Sequence, residues 1–132
     1  MRVCNVGIGV GLWDDWLGYV VGDVITSVDR DRDICEVFEL RQHRERHPHP
    51  ARVICGDVLL GALAGESFDL ITCTGSTLHE SGAPDELRQV LTAALAPTGR
   101  LIVAEVRETA GTPGVGLTCT STGRDGRSMD QS

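Results

Sequence analysis

The apolar residues of this chain fall into short continuous runs that alternate with stretches of helical spacing. Apolar runs of about four to eight residues bounded by turn signals are typical of buried strands, whereas apolar positions three and four apart are typical of helices. Strands that alternate with helices build a parallel sheet covered by helices on both faces. The pattern therefore predicts an α/β fold with a doubly wound, mostly parallel sheet in three α/β/α layers.

The pattern predicts five strands and three longer helices. The predicted strands are residues 2–6, 24–28, 52–55, 68–73 and 101–106. The predicted helices are residues 12–21, 31–46 and 84–95, with a short helix or turn at 59–64. The minimal strand order is 3-2-1-4-5, which leaves the fifth strand unpaired at an edge. Because an apolar edge strand invites aggregation, we expect another chain to cover it, most simply a second copy in a homodimer.

The first predicted helix carries five large apolar residues on what we take to be its inward face. They are Leu12, Trp13, Trp16, Leu17 and Val20. Tryptophans at helical spacing beside leucines are typical of a core, although an indole ring can also stack on a ligand. We therefore expect both tryptophans to be buried.

The pattern weakens after residue 108. Residues 109–132 are rich in Gly, Ser and Thr, and Val115 and Leu117 are their only branched aliphatic residues. So few apolar side chains bury little surface. We predict one domain over residues 1–108, followed by a tail that is disordered or forms one weak edge strand near residues 117–121.

Length and charge exclude several classes of protein. The chain has 132 residues and a net charge of -7, so it is one domain with an acidic surface that disfavours nucleic acid. No apolar run is long enough to span a membrane. All twelve basic residues are arginines, which excludes a phosphate-loop lysine and a Schiff-base lysine.

The cysteines and histidines give no metal or redox motif. None of the five cysteines forms a Cys-x-x-Cys pair, and no secretory signal is visible, so we expect a cytoplasmic protein with reduced thiols. His43 and His47 lie four residues apart on a predicted helix, but Arg41, Arg44 and Arg46 surround them. Because a cation site needs nearby negative charge, we predict no metal site.

A glycine turn follows the first predicted strand. Gly7, Gly9 and Gly11 lie where a doubly wound sheet brings bare backbone to a nucleotide-like ligand, and Asp29 ends the next strand. The dinucleotide pattern needs a further glycine at the position of Leu12. Two acids, Asp14 and Asp15, open the following helix, where they would repel a diphosphate and suit a cationic ligand. They equally suit the helix dipole alone.

Three segments resemble the class I S-adenosylmethionine-dependent methyltransferases, over about residues 2–106. Residues 3–11 match the strand and Gly-x-Gly-x-Gly turn of that family, except that Asn5 replaces its usual acid. Residues 68–71 are similar to the family's fourth strand, and residues 95–101 to its turn into the fifth. The resemblance implies a Rossmann-like fold and S-adenosylmethionine as cofactor.

The resemblance also implies a set of cofactor-binding residues. Asp29 would accept hydrogen bonds from the ribose hydroxyls, and Asp57 from the adenine amino group, with Arg30 and Val58 beside the adenine. The full expected set is Asn5, Gly7, Gly9, Gly11, Asp14, Asp29, Arg30, Asp57, Val58 and Thr74. An alternative is that Asp57 is an ordinary turn residue at a strand end.

The implied reaction is in-line methyl transfer to a small-molecule acceptor. Positioning supplies most of such an acceleration, and a base in the loop after the fourth strand would take the acceptor's proton. His79 is the candidate base, oriented or replaced by Glu80, although His79 is equally a surface histidine. Two alternatives stay open: a non-catalytic S-adenosylmethionine-binding subunit, and an enzyme that uses this cofactor for aminopropyl transfer or cyclisation.

Overall fold

The chain forms a seven-stranded sheet in a computed structural model that describes residues 1–75, 77–108, 115–125 and 128–131. The strand order is β3-β2-β1-β4-β5-β6-β7. The first five strands in this order are parallel, whereas β6 and β7 run antiparallel to their neighbours. The predicted α/β class, Rossmann-like architecture and 3-2-1-4-5 order of the first five strands are confirmed.

Helices and strands alternate along the chain up to β5. The strands are β1 Val3–Val6, β2 Thr26–Asp29, β3 Arg52–Cys55, β4 Phe68–Thr74, β5 Leu95–Glu108, β6 Val115–Gly123 and β7 Ser128–Gln131. The helices are α1 Leu12–Val21, α2 Arg32–Arg44, α3 Thr77–Glu80 and α4 Pro84–Ala93, with a short 3-10 helix at Val58–Leu60. Within the described ranges no helix is both long and apolar enough to cross a membrane.

Apolar side chains pack on both faces of the sheet, which makes three layers. On one face Leu87 and Leu91 of α4 pack on a cluster that includes Ile71 and Leu101, all four of them buried. On the other face Leu17 of α1 packs against β1 and β2, and α2 packs beside it. Because successive strand residues point to opposite faces, β1 contributes to both layers.

The prediction of an unpaired fifth strand is wrong. β5 pairs with β6 from Arg100 to Glu108, and β6 pairs in turn with β7. The Gly, Ser and Thr residues of this region lack the side chains of a buried strand, but a ladder is made by backbone groups that every non-proline residue carries. The weak edge strand expected near residues 117–121 lies within β6. This edge therefore gives no reason to expect a second copy.

The predicted inward face of α1 is also wrong. Of its five residues only Leu17 is buried, whereas Leu12, Trp13, Trp16 and Val20 are exposed. The residues that α1 buries are Asp14, Leu17 and Gly18. The helix is turned in this way because Asp14 meets polar partners in the first two strands, and its apolar side consequently faces outward.

We predict that replacing Leu91 by Ala lowers the free energy of unfolding by about 2 to 5 kcal/mol, because a fully buried leucine is removed from the α4 face. Urea unfolding followed by circular dichroism measures the loss. The matched control is Leu60→Ala, since Leu60 is 86% exposed and its loss changes stability by no more than about 0.5 kcal/mol. Equal effects of the two substitutions would contradict the placement of the core.

Candidate functional site

A cleft opens at the carboxyl ends of β1, β2 and β3. It encloses about 530 Å³ of empty space, including solvent at its mouth. Its walls combine apolar side chains with carboxylates. Ligands of doubly wound sheets bind at this edge, where the strand order reverses, so the cleft is the candidate site.

The turn from β1 to α1 depends on glycine. Gly7, Gly9 and Gly11 have φ values of 90°, 56° and 80°, a region that residues with side chains rarely adopt. A Cβ at Gly7 would overlap the side chain of Thr77, and a Cβ at Gly11 would overlap the ring of Phe38. The turn is therefore fixed both by its backbone conformation and by close packing of α2 and α3.

Asp29 joins the end of β2 to this turn. Its Oδ2 accepts a hydrogen bond of 2.9 Å from the Ile8 amide, and its Oδ1 accepts another of 2.9 Å from the Asp31 amide. Asp57 follows β3 in the same way, and its Oδ1 accepts a 2.9 Å bond from the Leu59 amide. Both aspartates line the cleft, so backbone amides hold two carboxylates at the ends of neighbouring strands.

The short helix α3 covers the cleft from the β4 side. Thr77 packs on Gly7, and its Oγ1 donates a 3.0 Å hydrogen bond to the carbonyl oxygen of Thr74. From the opposite side, Nη2 of Arg30 donates a 3.2 Å hydrogen bond to the carbonyl oxygen of Glu80. Arg30 and Glu80 both line the cleft. The loop after β4 and the end of β2 are therefore linked across its mouth.

A buried polar network lies behind the glycine turn. Nδ2 of Asn5 donates hydrogen bonds to the carbonyl oxygen of Gly7 at 3.1 Å and to Oδ1 of Asp14 at 3.0 Å. The same Oδ1 accepts a 2.6 Å hydrogen bond from the Ser27 hydroxyl. Asn5, Asp14 and Ser27 have no exposed surface. The network consequently ties α1 to β1 and β2 and supports the backbone of Gly7.

The network continues outward from Asn5 to the surface of α1. The Thr72 hydroxyl donates a 2.8 Å hydrogen bond to Oδ1 of Asn5, and the Thr72 oxygen accepts a 3.1 Å bond from Nε1 of Trp13. Neither Ser27 nor Thr72 was predicted as a site residue, because a hydroxyl within an apolar strand gives no pattern that distinguishes it from its neighbours.

Burial raises the pKa of Asp14 to about 6, against the partial opposing effect of its hydrogen bonds from Ser27 and Asn5. Its second oxygen, Oδ2, has no hydrogen-bond partner in the described part of the chain. Asp14 is therefore a carboxylate held out of water next to the glycine turn. It supports the site through Asn5.

The neighbouring acid, Asp15, is neutralised by α2. Nη1 of Arg41 lies 2.6 Å from Oδ2 of Asp15, and Nη2 of Arg41 donates a 3.0 Å hydrogen bond to the carbonyl oxygen of Val10. Arg41 thus holds the second half of the glycine turn against α2. Its positive charge is already paired, so the turn presents little net attraction for an anion.

The structure brings together part of the predicted set. The predicted residues that line the cleft are Gly7, Asp29, Arg30, Asp57, Val58 and Glu80. Asn5 and Asp14 lie behind the turn, and Gly9 and Gly11 shape it. His79 is exposed on α3, and Thr74 ends β4 beneath that helix; neither is among the described residues that line the cleft.

The cleft also contains residues that the sequence pattern did not predict. Thr77 and Ser81 lie on and just after α3, and Leu59 and Leu87 add apolar surface. The sequence indicated Thr77 and Ser81 only as part of a polar loop after β4. Among the described residues no group of three His, Cys, Asp or Glu side chains is placed to hold a metal ion.

Comparison with protein families decides what kind of domain this is. Residues 4–103 match the model of a family described as a methyltransferase domain. The chain belongs to this family. This methyltransferase domain contains the glycine turn, Asp29 and Asp57 within the matched residues, as the resemblance to class I S-adenosylmethionine-dependent methyltransferases implied.

Solved structures share the fold. The [4+2]-cyclase SpnF is 24% identical with a TM-score of 0.71, and the match covers 84% of this chain and 41% of SpnF. YcgJ from Bacillus subtilis is 20% identical with a TM-score of 0.71, covering 83% and 46%. The plantazolicin methyltransferase BpumL, solved with a triazolic desmethylPZN analog and SAH, is 16% identical with a TM-score of 0.66, covering 81% and 39%.

The methyltransferase domain thus spans less than half the length of these three solved chains. At such identities the likeness concerns the fold. Comparison with curated proteins finds no match.

We predict that Asp14→Asn flattens the dependence of stability on pH. The folded pKa of about 6 lies above the ordinary value of 3.8, so the folded protein binds a proton that the unfolded chain does not between about pH 4 and pH 6. Wild-type stability therefore rises as pH falls through this window. The variant keeps an oxygen that can accept from Ser27 and Asn5 but has no such titration.

The two proteins should diverge by up to about 3 kcal/mol in unfolding free energy across that window, as urea titrations at a series of pH values would measure. Asp23→Asn removes an exposed carboxylate just after α1 and serves as the control, with an expected profile like that of the wild type. If the unfolding free energy of Asp14→Asn depended on pH in the same way as that of the wild type, the raised pKa of Asp14 would be contradicted.

Proposed function

We propose that this domain binds S-adenosylmethionine in the cleft and transfers its methyl group in line to a small-molecule acceptor. The observation that carries the proposal is the pair of carboxylates, Asp29 and Asp57, held by backbone amides at the ends of adjacent strands beside the glycine turn. S-adenosylmethionine supplies a methyl group on a positively charged sulfur, which is an excellent leaving group.

The residues of the cleft fit a cationic nucleoside. In this proposal the carboxylate of Asp29 would accept hydrogen bonds from ribose hydroxyls, and that of Asp57 would accept one from an adenine amino group. Val28, Val58 and Leu87 supply apolar surface for a base. A phosphorylated coenzyme fits less well, because the helix start that would bind its diphosphate contains the buried Asp14 and the paired Asp15.

Support also comes from a solved structure of the same fold. BpumL, 16% identical to this chain, was solved in complex with SAH, the demethylated form of this cofactor. We assign residues 1–108 as the cofactor-binding unit, because the described residues that line the cleft all lie within this range. Asn5, Gly9, Gly11 and Asp14 would then support the cofactor indirectly, through the shape of the turn.

We infer that Glu80, in preference to His79, receives the acceptor's proton. Glu80 lines the cleft, and the bond from Arg30 to its carbonyl oxygen fixes the end of α3. His79 lies on the same helix but is not among the described residues that line the cleft, and we assign it no contact with the reacting atoms. Thr77 and Thr74 hold α3 against Gly7, which would keep water from the reacting groups.

The net charge supports an inference about the class of acceptor, and the thiols support one about the compartment in which the protein works. A surface with a net charge of -7 opposes a phosphate backbone, so we infer a small-molecule acceptor. All five cysteines are unpaired, which suits a reducing compartment, and we infer a cytoplasmic protein.

A second candidate function is a different reaction on the same fold. SpnF, 24% identical to this chain, is a [4+2]-cyclase. An enzyme with a domain of this fold can therefore catalyse a cyclisation. The cleft described above would suit such an enzyme equally well, since its cofactor contacts do not specify the reaction.

We predict that Asp29→Ala abolishes cofactor binding. A thermal-shift assay should show a rise in Tm with S-adenosylmethionine for the wild type, and a smaller one or none with NAD or NADP. Ligand at about 100 times its Kd stabilises by about 2.7 kcal/mol. Because Asp29 also bonds the amides of Ile8 and Asp31, the shift is measured relative to each variant's own ligand-free Tm.

The matched control is Glu36→Ala, which removes one exposed carboxylate from the outer face of α2, away from the cleft. This variant should keep the full ligand-induced shift. A shift in Asp29→Ala equal to that of the wild type would remove Asp29 from the binding site and overturn the proposal.

We predict that turnover leaves S-adenosylhomocysteine. The protein is incubated with S-adenosylmethionine and a panel of small molecules that carry hydroxyl and amine groups, and the nucleoside products are identified by mass spectrometry. Glu80→Gln should lower the rate without abolishing cofactor binding, because it removes the base and keeps the side-chain shape. Methylthioadenosine as the product would instead favour aminopropyl transfer or cyclisation of the cofactor's own side chain. A [4+2] cyclisation would consume no S-adenosylmethionine and would leave neither nucleoside.

A further inference from the structure

The outer face of α1 is apolar along its whole length. Five side chains form this face, which we call the α1 stripe: Leu12, Trp13, Trp16, Tyr19 and Val20, with exposures of 68%, 38%, 52%, 60% and 61%. At 3.6 residues per turn and 1.5 Å per residue these positions fall within one third of the helix circumference, so they form one continuous strip about 12 Å long. The two indole rings stack with centroids 4.9 Å apart.

The opposite face of α1 is already buried. Asp14, Leu17 and Gly18 face the sheet and α2, so the apolar stripe is not the side that holds α1 to its own domain. A helix with apolar residues facing solvent as well as the core is typical of one that is covered on both sides. The α1 stripe therefore has the composition of a surface that packs against another one.

The α1 stripe carries no charge. The charged residues of α1 are Asp14 and Asp15, of which the first is buried and the second is paired with Arg41. A partner recognised through charge would need charged groups that this surface does not offer. A membrane surface is disfavoured as well, because interfacial helices carry Lys and Arg on their polar side and α1 has neither.

We propose that the α1 stripe is the interface with a second copy of this chain. A two-fold axis places the same strip on itself, so each tryptophan pair would meet apolar side chains of the other copy. Because the stripe itself is uncharged, its own residues bring no like charges together despite the net charge of -7 on each chain.

The exposed area is enough for the centre of such a contact. Large aromatic side chains bury about 150 to 250 Å² each, and aliphatic ones about 60 to 120 Å², so the exposed parts of the stripe amount to about 300 to 530 Å². Each partner contributes roughly 800 Å² to a standard interface, so the stripe supplies about half of that area and residues beside it would supply the rest.

The interface would adjoin the candidate site. Trp13 of the stripe donates its Nε1 hydrogen bond to Thr72, which in turn donates to Asn5 behind the glycine turn. Packing of a second copy on Trp13 would hold this chain of hydrogen bonds in place.

Light scattering coupled to size exclusion tests the proposal, with wild-type protein between about 1 and 100 μM. We expect a species of twice the 14.1 kDa chain mass at the upper end. Trp16→Glu should raise the dimer dissociation constant by at least about 30-fold, because a buried aromatic anchor becomes a charge that meets its own copy. The control is Val37→Glu, at a 65% exposed apolar position on α2, which should leave the dimer intact.

A second measurement needs no substitution. Both tryptophans of the chain lie in the stripe, so their fluorescence reports on this surface alone. Emission should shift to shorter wavelength as the dimer forms on concentration. A monomer at about 100 μM, a dimer that Trp16→Glu leaves intact, or a dimer whose emission does not change with concentration would each overturn the proposal.

Discussion

The structure depends on a carboxylate that has no access to water. Asp14 has no exposed surface, and its charge is supported by the amide of Asn5 in β1 and the hydroxyl of Ser27 in β2. A buried carboxylate is costly unless it is hydrogen-bonded, so these two bonds fix how α1 is rotated on the sheet. The polar side of α1 consequently faces the interior at this point and the large apolar side chains face outward.

The rotation of α1 also helps to fix the glycine turn that borders the cleft. Asn5 donates to Asp14 and to the carbonyl oxygen of Gly7, so the buried charge and the glycine turn share one amide group. Asp29 holds the next residue of the turn through the Ile8 amide. The turn is therefore anchored from behind by α1 and from the side by β2, which leaves its remaining side open to a ligand.

The sequence predicted those parts of the site whose positions depend only on residues close to one another along the chain. The glycine turn, Asp29 and Asp57 are set by a strand end and the few residues after it, and sequence spacing is enough to find them. The face of α1 is different, because Leu12, Trp13 and Val20 fit an inward stripe equally well. Only the meeting of Asp14 with Asn5 and Ser27, which are distant along the chain, decides which side is buried. β6 was underestimated for a related reason, since its pairing depends on backbone groups that hydrophobicity does not report.

The same distinction explains why the cleft has a cover that the sequence did not indicate. Thr77 is placed on Gly7 by the packing of α3, and Arg30 reaches the carbonyl oxygen of Glu80 from just after β2. Neither contact follows from spacing. Arg30 bonds a backbone carbonyl oxygen, and every residue type carries one. This contact therefore depends on the position of the α3 backbone and does not depend on the side chain at residue 80. The sequence thus shows that residue 80 is an acid, but only the folded structure shows that it lies at the cleft.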